Sequence, residues 1–299
     1  MAFKSGFVTI MGRPNVGKST LLNLLTGEKI AIMSSKPQTT RHNIRTVVTA
    51  GDYQMVFVDT PGIHKPKDKL GEYMMHEAFS TFDDVDVILF LVDARDKSIG
   101  PGDSMIMEEL GRKSTPAILL INKIDLVKKE ALLPLIAQYS QAYGFKAIIP
   151  VSAINGETRE LVLSAVEKLL PEGEKLYPDD MLTDQQEKEL AQELIREKLL
   201  NLLSDEVPHG IGVEVVRFKE RPDKNILEID ADIYCEKESH KGIVIGRNGA
   251  MLKKVGTLAR QDMERLYDTK VNLKLWVKVR EDWRNSNFML NELGYRTKK

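Results

Sequence analysis

The fold is decided by Gly12-Arg13-Pro14-Asn15-Val16-Gly17-Lys18-Ser19, a glycine-rich loop that ends in Lys-Ser. An apolar run typical of a β-strand, Phe7 to Met11, precedes the loop, and a helical segment, Thr20 to Leu25, follows it until Gly27 ends the helix. Backbone N–H groups at the start of such a helix bind phosphate, while the lysine and serine contact phosphates and Mg²⁺. This order of strand, loop and helix predicts a nucleotide-binding α/β domain.

A second motif, Asn122-Lys123-Ile124-Asp125, follows the apolar strand Ile118 to Ile121 and predicts which base is bound. The Asp125 carboxylate can accept hydrogen bonds from two adjacent N–H donors that guanine presents and adenine lacks. A buried carboxylate in this role rejects adenine by roughly four to five orders of magnitude. Ser152 and Ala153, after the run Ala147 to Val151, are predicted to back the guanine. The predicted nucleotide is therefore GTP, and the predicted activity is its hydrolysis to GDP and phosphate.

The segments between these motifs predict a Mg²⁺ site and a switch loop. Asp59-Thr60-Pro61-Gly62 follows the strand Met55 to Val58, which suits a carboxylate that bonds the ligands of Mg²⁺ and a flexible glycine beside the γ-phosphate. The polar segment Gln38-Thr39-Thr40-Arg41-His42 is typical of a loop that orders when a threonine hydroxyl ligates Mg²⁺. Thr40 is predicted to be that ligand, together with Ser19.

One residue type is absent where Ras-like GTPases need it. Those enzymes place a glutamine after this glycine to orient the attacking water, but Ile63 stands here. His64 follows and is predicted to be a bystander rather than a catalytic base. We therefore expect slow intrinsic hydrolysis. Asn15 is a candidate to hold a K⁺ ion between phosphates, which would supply the positive charge that an arginine finger gives in other GTPases.

The predicted nucleotide site consists of overlapping groups of residues. Catalytic roles are assigned to Asn15, Lys18, Thr40 and Gly62, and the metal-site residues are Ser19, Thr40 and, through the other ligands, Asp59. Nucleotide binding is assigned to Gly12, Arg13, Pro14, Asn15, Val16, Gly17, Lys18, Ser19, Thr20, Asp59, Thr60, Pro61, Gly62, Asn122, Lys123, Asp125, Ser152 and Ala153.

Composition is that of an ordinary cytosolic enzyme. The chain has 299 residues, a formal net charge of -1 and 42% hydrophobic residues, with no apolar run as long as the roughly 18 residues of a membrane span. The N-terminus runs straight into the first strand, so no signal peptide is expected. The single cysteine, Cys235, excludes an internal disulfide, and the scattered histidines show no metal-ligand spacing. We expect a monomer in a reducing compartment.

Both the net charge and the order of predicted helices and strands change in the second half of the chain. Residues 236–299 hold 15 Lys and Arg against 8 Asp and Glu, an excess of seven positive charges. After the linker signals Leu170 to Glu174 and Tyr177 to Asp180, Thr183 is predicted to cap a helix whose leucines recur at helical spacing. Two strands joined by Arg221 to Asn225, a helix, a glycine loop, a second helix and a strand with one basic face follow. This order predicts an α+β domain after a doubly wound, mostly parallel sheet.

Gly246-Arg247-Asn248-Gly249 matches the loop by which KH domains clamp the backbone of about four nucleotides. The pattern is weak by itself, since a turn between two helices has the same form, but the apolar residues before it, the lysines after it and the element order favour RNA binding. Trp276 is left open between stacking on a base and packing against the segment around Trp283 and Phe288. The predicted RNA-binding residues are Lys241, Ile243, Ile245, Gly246, Arg247, Asn248, Gly249 and Lys253.

Together these motifs make the chain similar to the Era family of bacterial GTPases, in which a P-loop GTPase domain precedes a type II KH domain. The strings that carry the resemblance are Lys36 to His42, Asp59 to Pro66, Gly246 to Gly249 and Leu275 to Val279, whereas Thr46 departs from the glycine usual at its position. The resemblance implies a GTPase domain at 4–171, a linker at 172–181, a KH domain at 182–281 with its core at about 202–280, and a tail at 282–299. It also implies binding near the 3′ end of small-subunit ribosomal RNA, a part in 30S subunit assembly and rRNA maturation, and a cytoplasmic protein loosely attached to the inner membrane.

Two alternatives stay open at this point. A tRNA-modifying GTPase shares Asn15 and Ile63 but would resemble this chain only over the first domain. A peripheral membrane signalling GTPase would use a basic C-terminal end on anionic lipid. The basic residues here alternate along a strand instead of forming a cationic run or an amphipathic helix, which favours RNA.

Overall fold

The structure of the chain is a computed structural model that describes residues 2–28, 30–34, 36, 38–63, 65–82, 84–204, 207–223 and 225–295. His64, predicted above to be a bystander, and Lys224 of the predicted hairpin turn lie outside these residues. The chain divides into two compact units. The first consists of Met1–Ala31, Thr40–Lys65 and Met74–Asp184, and the second of Ile32–Thr39, Pro66–Tyr73 and Gln185–Lys299.

The first unit is built on a sheet with the strand order β2-β3-β1-β4-β5-β6, in which β2 pairs antiparallel with β3 and the other pairs are parallel. Every residue of β4 is buried, as expected of a central parallel strand that is covered on both faces. The predicted doubly wound, mostly parallel sheet is confirmed. Its elements are β1 (Lys4–Met11), α1 (Lys18–Thr26), β2 (Ile44–Ala50), β3 (Tyr53–Asp59), α2 (Lys69–Ser80), β4 (Val87–Asp93), α3 (Pro101–Gly111), β5 (Ala117–Asn122), α4 (Leu132–Ala142), β6 (Ala147–Pro150) and α5 (Glu157–Glu167).

The parallel strands place their carboxyl ends along one edge of this sheet. The phosphate loop follows β1, Asp59 ends β3, Asp93 ends β4, Asn122 ends β5 and Ser152 comes just after β6. Because ligands of open α/β sheets bind at the carboxyl ends of the strands, motifs far apart in sequence meet there. The strands therefore assemble one site from five separate segments.

The second unit joins helices to a sheet with the order β7-β8-β9. β7 and β8 are antiparallel, with an irregularity between Val215 and Arg217, whereas β8 and β9 are parallel and need the crossover that two helices provide. Helix, strand, strand, helix, loop, helix and strand follow in the predicted order, so the α+β prediction is confirmed. The elements are α6 (Glu187–Leu202), β7 (Gly212–Arg221), β8 (Ile226–Cys235), α7 (Glu238–Ile245), α8 (Ala250–Leu266), β9 (Lys270–Val279) and α9 (Asn287–Glu292).

The predicted helix cap at Thr183 is wrong. α6 begins at Glu187, after Gln186, and the Thr183 hydroxyl instead donates to the carbonyl oxygen of Arg45 at 2.6 Å. Thr183 also forms a β-bridge with Thr46, which continues β2 without interruption where the family resemblance led us to expect a glycine. The Thr183 hydroxyl therefore bonds the backbone of β2 instead of capping α6.

Helix α6 binds the backbone of residues 32–39 within the second unit. Glu197 accepts a hydrogen bond from the N–H of Met33 at 3.0 Å, and Asn201 donates to the carbonyl oxygen of the same residue at 3.1 Å. The buried guanidinium of Arg196 donates to the carbonyl oxygens of Gln38, at 3.3 Å, and Thr39. The segment just before Thr40 is therefore fixed at two points by one helix.

Candidate nucleotide site and nucleic-acid groove

The phosphate loop places a buried lysine at the start of α1. The Lys18 ammonium donates to the carbonyl oxygens of Gly12, at 3.1 Å, and Arg13, at 3.2 Å, and Gly17 before the helix has a left-handed backbone. Burial lowers the pKa of Lys18 to about 8, although the negative charge of Asp59 acts in the opposite direction. Because this cation is held largely out of water, it is prepared to pair with an anionic ligand.

Three oxygen-bearing side chains meet beside the loop. The hydroxyl groups of Ser19 and Thr40 lie 3.0 Å apart, and they donate to Asp59 Oδ2 at 2.9 and 3.0 Å respectively. Asp59 is fully buried, and its Oδ1 has no hydrogen-bond partner within the described residues. Burial raises the pKa of Asp59 above its usual range despite the opposing effect of Lys18 and both hydroxyls.

These side chains fit Mg²⁺. The ion prefers oxygen ligands and is usually held by one or two protein groups together with phosphate oxygens and water. Two adjacent hydroxyls and a buried carboxylate with one unpartnered oxygen provide such groups. Among the described residues, no cluster of three or more His, Cys, Asp or Glu side chains could hold a metal ion.

Gly62 approaches the phosphate loop closely, and Ile63 is buried in the core. A Cβ atom at Gly62 would lie 2.9 Å from atoms of Pro14, so a larger residue would displace the loop. Ile63 is only 1% exposed and packs in the core with Phe82 and Phe90. The hydroxyl of Thr60, a predicted nucleotide ligand, donates at 2.9 Å to the carbonyl oxygen of Ile10 and so supports the strand.

The base motif is linked to both neighbouring loops. The Asn122 amide donates to the carbonyl oxygen of Val16 at 2.8 Å and accepts from the N–H of Ala153 at 2.9 Å. The Ser152 hydroxyl donates to Asp125 Oδ1 at 2.6 Å. Asp125 is an exposed residue, because it lies in a short 3-10 turn beyond the end of β5. The structure thus brings the predicted phosphate-loop and base-motif residues together at one edge of the sheet.

Asp93 joins this group without any signal in the predicted motifs. Its Oδ2 accepts from the Lys123 ammonium at 2.8 Å, and its carboxylate also accepts from the backbone and guanidinium of Arg95. Burial alone would raise the pKa of Asp93, but the hydrogen bonds from Arg95 and Lys123 outweigh it and lower the pKa to about 2. Only its place at the end of a strand beside β5 could have suggested a role.

The glycine loop lies between α7 and α8 as predicted. Gly246 has a φ of 72°, and a Cβ atom there would lie 2.7 Å from Cβ of Met251, so the position requires glycine. Asn248 also has a positive φ, of 52°, which asparagine tolerates better than most residues. Both Arg247 and Asn248 are exposed at the tip. The loop therefore presents one cation and one amide to solvent between two helices.

A groove of about 410 Å³ opens between α8 and β9. It is lined by Gly249 and Lys253, which were predicted to bind RNA. Six further lining residues were not in that prediction: Leu252, Gly256, Thr257, Arg260, Leu273 and Leu275.

Of the remaining residues that were predicted to bind RNA, Ile243 on α7 is 49% exposed, whereas its neighbour Val244 is buried. Trp276 is 45% exposed, whereas Trp283 is buried and donates to the carbonyl oxygen of Gly210.

Comparisons with known proteins match both halves of the chain. The family described as "50S ribosome-binding GTPase" matches residues 7–123, and that described as "KH domain" matches residues 206–284. The chain is 56% identical to GTPase Era of Ruminiclostridium cellulolyticum over all of both chains. It is 54% identical to GTPase Era of Caldicellulosiruptor saccharolyticus, over 100% of this chain and 99% of that one.

Two solved structures are similar over nearly the whole chain. One is Era in complex with MgGDPNP and nucleotides 1506–1542 of 16S ribosomal RNA, at 39% identity and a TM-score of 0.95, with 99% of this chain and 100% of that chain covered. The other is a variant of Aquifex aeolicus Era bound to GDP and AlF4⁻, with the same identity, TM-score and coverage.

A phosphate-loop sheet with a guanine-specificity motif, followed by an α+β unit with a KH glycine loop, defines a GTPase joined to a KH domain. The identity over the full length then decides the family. The chain belongs to the Era family of GTPases and hydrolyses GTP. Because the match covers both halves, the alternative of a tRNA-modifying GTPase is wrong. Within the residues that the structure describes, no helix is long and apolar enough to cross a membrane.

Proposed function

We propose that this GTPase is a switch that binds small-subunit ribosomal RNA near its 3′ end through the KH domain and acts in 30S subunit assembly and rRNA maturation. The observation that carries the proposal is the exposed glycine loop beside an open groove in this chain. A relative that shares 39% of its sequence and the same fold over the full length binds a 16S ribosomal RNA fragment. Arg247 and Lys253 supply charge for phosphates, and the groove between α8 and β9 offers apolar contact for bases.

In the nucleotide site, each group of predicted residues takes one part of GTP. Residues 12–20 bind the phosphates through backbone N–H groups and through the Lys18 ammonium, which pairs with the β- and γ-phosphates. Asn122, Lys123 and Asp125 bind the base, with Ser152 orienting the Asp125 carboxylate from 2.6 Å. Asp59 to Gly62 lie beside the γ-phosphate, where Gly62 permits the close approach to Pro14.

Mg²⁺ is proposed to be held by the hydroxyl groups of Ser19 and Thr40, with Asp59 bonded to both. When bound, the ion neutralises charge that develops on the phosphate oxygens. Thr40 is proposed to make the segment before it responsive to GTP, since a threonine that ligates Mg²⁺ can do so only while the γ-phosphate is present.

Hydrolysis is proposed to be slow without a partner. Ile63 is buried in the core and has no group that could orient water. A positive charge that stabilises the transition state, as an arginine finger does in other GTPases, is a separate need. Asn15 has an exposed side chain on the phosphate loop and is the proposed ligand of K⁺. Exchanging K⁺ for Na⁺, with Asn15→Ala as the matched variant, tests this: absence of K⁺ stimulation in the unaltered chain contradicts it.

The RNA assignment is tested against its main alternative, attachment to anionic lipid. We expect the full chain to bind an RNA with the sequence of the 3′ end of its small-subunit ribosomal RNA more tightly than a shuffled RNA of equal length, and to bind vesicles of anionic lipid weakly. Equal affinity for both RNAs, or tight binding to vesicles alone, would overturn the proposal. A cytoplasmic location with loose attachment to the inner membrane is proposed on the family resemblance alone.

A further inference from the structure

Asp93 is a buried carboxylate that no recognised motif explains. It ends β4, opposite Asn122 of β5, and its residue is 6% exposed. Its Oδ1 accepts from the backbone N–H and Nε of Arg95, and its Oδ2 accepts from Nη2 of Arg95 and from the Lys123 ammonium. The side chain therefore satisfies two partners, of which one belongs to the base motif.

Lys123 connects three segments of the nucleotide site. Its ammonium donates to Asp93 Oδ2 at 2.8 Å and to the carbonyl oxygen of Asn15 at 2.5 Å, so it spans from the end of β4 to the phosphate loop. Its backbone has a φ of 67°, which turns the chain sharply after β5. The contact with Asn15 crosses the space between the loop that precedes α1 and the loop that carries Asp125.

A lysine needs a fixed partner to hold such a position. Its side chain loses rotamer entropy when it is immobilised, and a compact ammonium imposes little direction of its own. A buried carboxylate that Arg95 already holds on its other side is a rigid acceptor. Asp93 therefore bears part of the cost of ordering Lys123 before any nucleotide arrives.

We propose that Asp93 is a positioning residue for guanine nucleotides: it holds Lys123 across the phosphate loop, so that the base motif and the phosphate loop are kept at the separation one nucleotide needs. This inference rests on the proposed nucleotide site. Because Asp93 acts before binding and touches none of the reacting atoms, its loss weakens the affinity for nucleotide and leaves the rate of the bound complex unchanged.

The test compares Asp93→Asn with Arg95→Ala in the full chain. Asp93→Asn keeps the shape and removes the charge, and we expect the Kd for GDP and the KM for GTP to rise about tenfold, as for one hydrogen bond between charged groups, with kcat unchanged. Arg95→Ala removes the group that holds Asp93 on its other side, and it should raise both constants less than Asp93→Asn does, because Asp93 keeps its charge and its hydrogen bond to Lys123. Asp93→Glu, which keeps the charge, should restore part of the affinity.

A double-mutant cycle with Lys123→Ala separates positioning from simple support of the fold. If Asp93 acts through Lys123, Asp93→Asn has no further effect on GDP affinity once Lys123 is alanine. An equal effect in both backgrounds, a lowered kcat, or unaltered affinity of Asp93→Asn would each overturn the inference. A different result would show that the proposed nucleotide site itself is wrong: Lys123→Ala would then bind GDP as tightly as the unaltered chain.

Discussion

At the scale of single residues, the nucleotide site consists of buried charges held by a few short contacts. Lys18 and Asp59 are both removed from water. Burial lowers the pKa of Lys18 and raises the pKa of Asp59, so both shifts favour the uncharged form. Such groups are costly to the fold unless an ion or ligand completes their environment. Binding of phosphate beside Lys18 and of Mg²⁺ beside Asp59 therefore relieves this cost.

The pKa of Lys18 predicts how nucleotide affinity depends on pH. In the free protein this pKa is about 8, and a bound triphosphate must raise it, so the complex holds more protons than the free protein above pH 8. The affinity for GTP should fall as pH rises beyond 8, by up to about tenfold per pH unit.

Isothermal titration at pH 9, in two buffers with different heats of ionisation, measures the proton uptake directly. Lys18→Arg is the control, since arginine stays protonated and should remove the uptake in whatever binding survives. Binding at pH 9 without proton uptake would contradict the assignment of Lys18 to the phosphates.

Asp125→Asn should move the base preference from guanine towards xanthine. Xanthine has a carbonyl acceptor in place of the exocyclic amine of guanine, and an amide N–H can meet it. The loss of two charge-assisted hydrogen bonds should weaken GTP binding by at least roughly a hundredfold. Competition between GTP and XTP measures the preference, with Glu130→Gln, an exposed carboxylate further along the chain, as the control. Unchanged preference for GTP would refute the role of Asp125 in reading the base.

At the scale of elements, loops between regular structures carry the function and the elements hold them in place. Carboxyl ends of parallel strands deliver Asp59, Asp93 and Asn122 to one edge, and the turn between α7 and α8 delivers Arg247. Residues a few positions away along the chain pack inward instead, as Ile63 and Val244 do. Neighbours in sequence therefore differ sharply in what a substitution should do.

Ile63→Ala should damage stability and spare the chemistry. The side chain is buried in the core beside Phe82, so its truncation should lower the free energy of unfolding by about 2–5 kcal/mol. Single-turnover hydrolysis by the folded fraction should change little, because an aliphatic chain cannot orient water. Thr40→Val provides the contrast: it keeps the shape, removes the hydroxyl and should reduce hydrolysis strongly. Urea unfolding measures the stability of both variants, and single-turnover assays measure their hydrolysis. Slower hydrolysis by Ile63→Ala than by Thr40→Val would contradict the prediction.

Replacing Arg247 and Asn248 together by Asp should weaken RNA binding by at least roughly 2 kcal/mol. Gly246 and Gly249 still form the turn, so the fold should survive, but two carboxylates would face the phosphates. The salt dependence of binding should also fall, since fewer counterions are released.

The matched control is the pair Ser164→Asp, on an exposed position of α5, and Lys168→Asp, at the exposed residue just after α5, which changes the net charge by the same three units. RNA affinity at two salt concentrations and GTP affinity are measured on each protein. If the folded Arg247→Asp, Asn248→Asp variant bound RNA as tightly as the unaltered chain, the glycine loop would be only a turn and would not contact RNA.

At the scale of the whole molecule, the chain is not divided at one point along its sequence. Residues 32–39 and 66–73 belong to the same compact unit as the C-terminal half. Within that unit Arg196 contacts the backbone of Gln38 and Thr39, and Arg284 pairs with Asp68 at 2.9 Å and with Glu236. Contacts that join residues more than 150 positions apart thus hold both of these segments.

Arg196→Met should destabilise the full chain by about 3–5 kcal/mol, because it removes the buried cation that donates to the carboxylate of Glu193. The double exchange Arg196→Met with Glu193→Met removes both charges and should cost clearly less. Hydrogen exchange at residues 38–41 should become faster in both variants, since the backbone carbonyls lose their donor. Equal stability of the single and double variants would contradict a buried pair that supports this segment.

The sequence by itself determined the two folds, their order, the identity of the nucleotide and the position of the glycine loop. Each is encoded in a short contiguous motif or in a local period, such as Gly12 to Ser19 or the alternation along β9, and such patterns are readable without distant partners. The residues assigned to phosphate, base and RNA follow from these same motifs.

Only the tertiary structure decided what depends on residues far apart in sequence. It joined Asp93 to Lys123, exposed the Asp125 carboxylate, engaged Thr183 with Arg45 and grouped residues 32–39 with α6. It also added Arg260 and Leu273 to the groove. No local propensity encodes these contacts, because each depends on which strands and helices come together, and a side chain's partner is set by that packing rather than by its sequence neighbours.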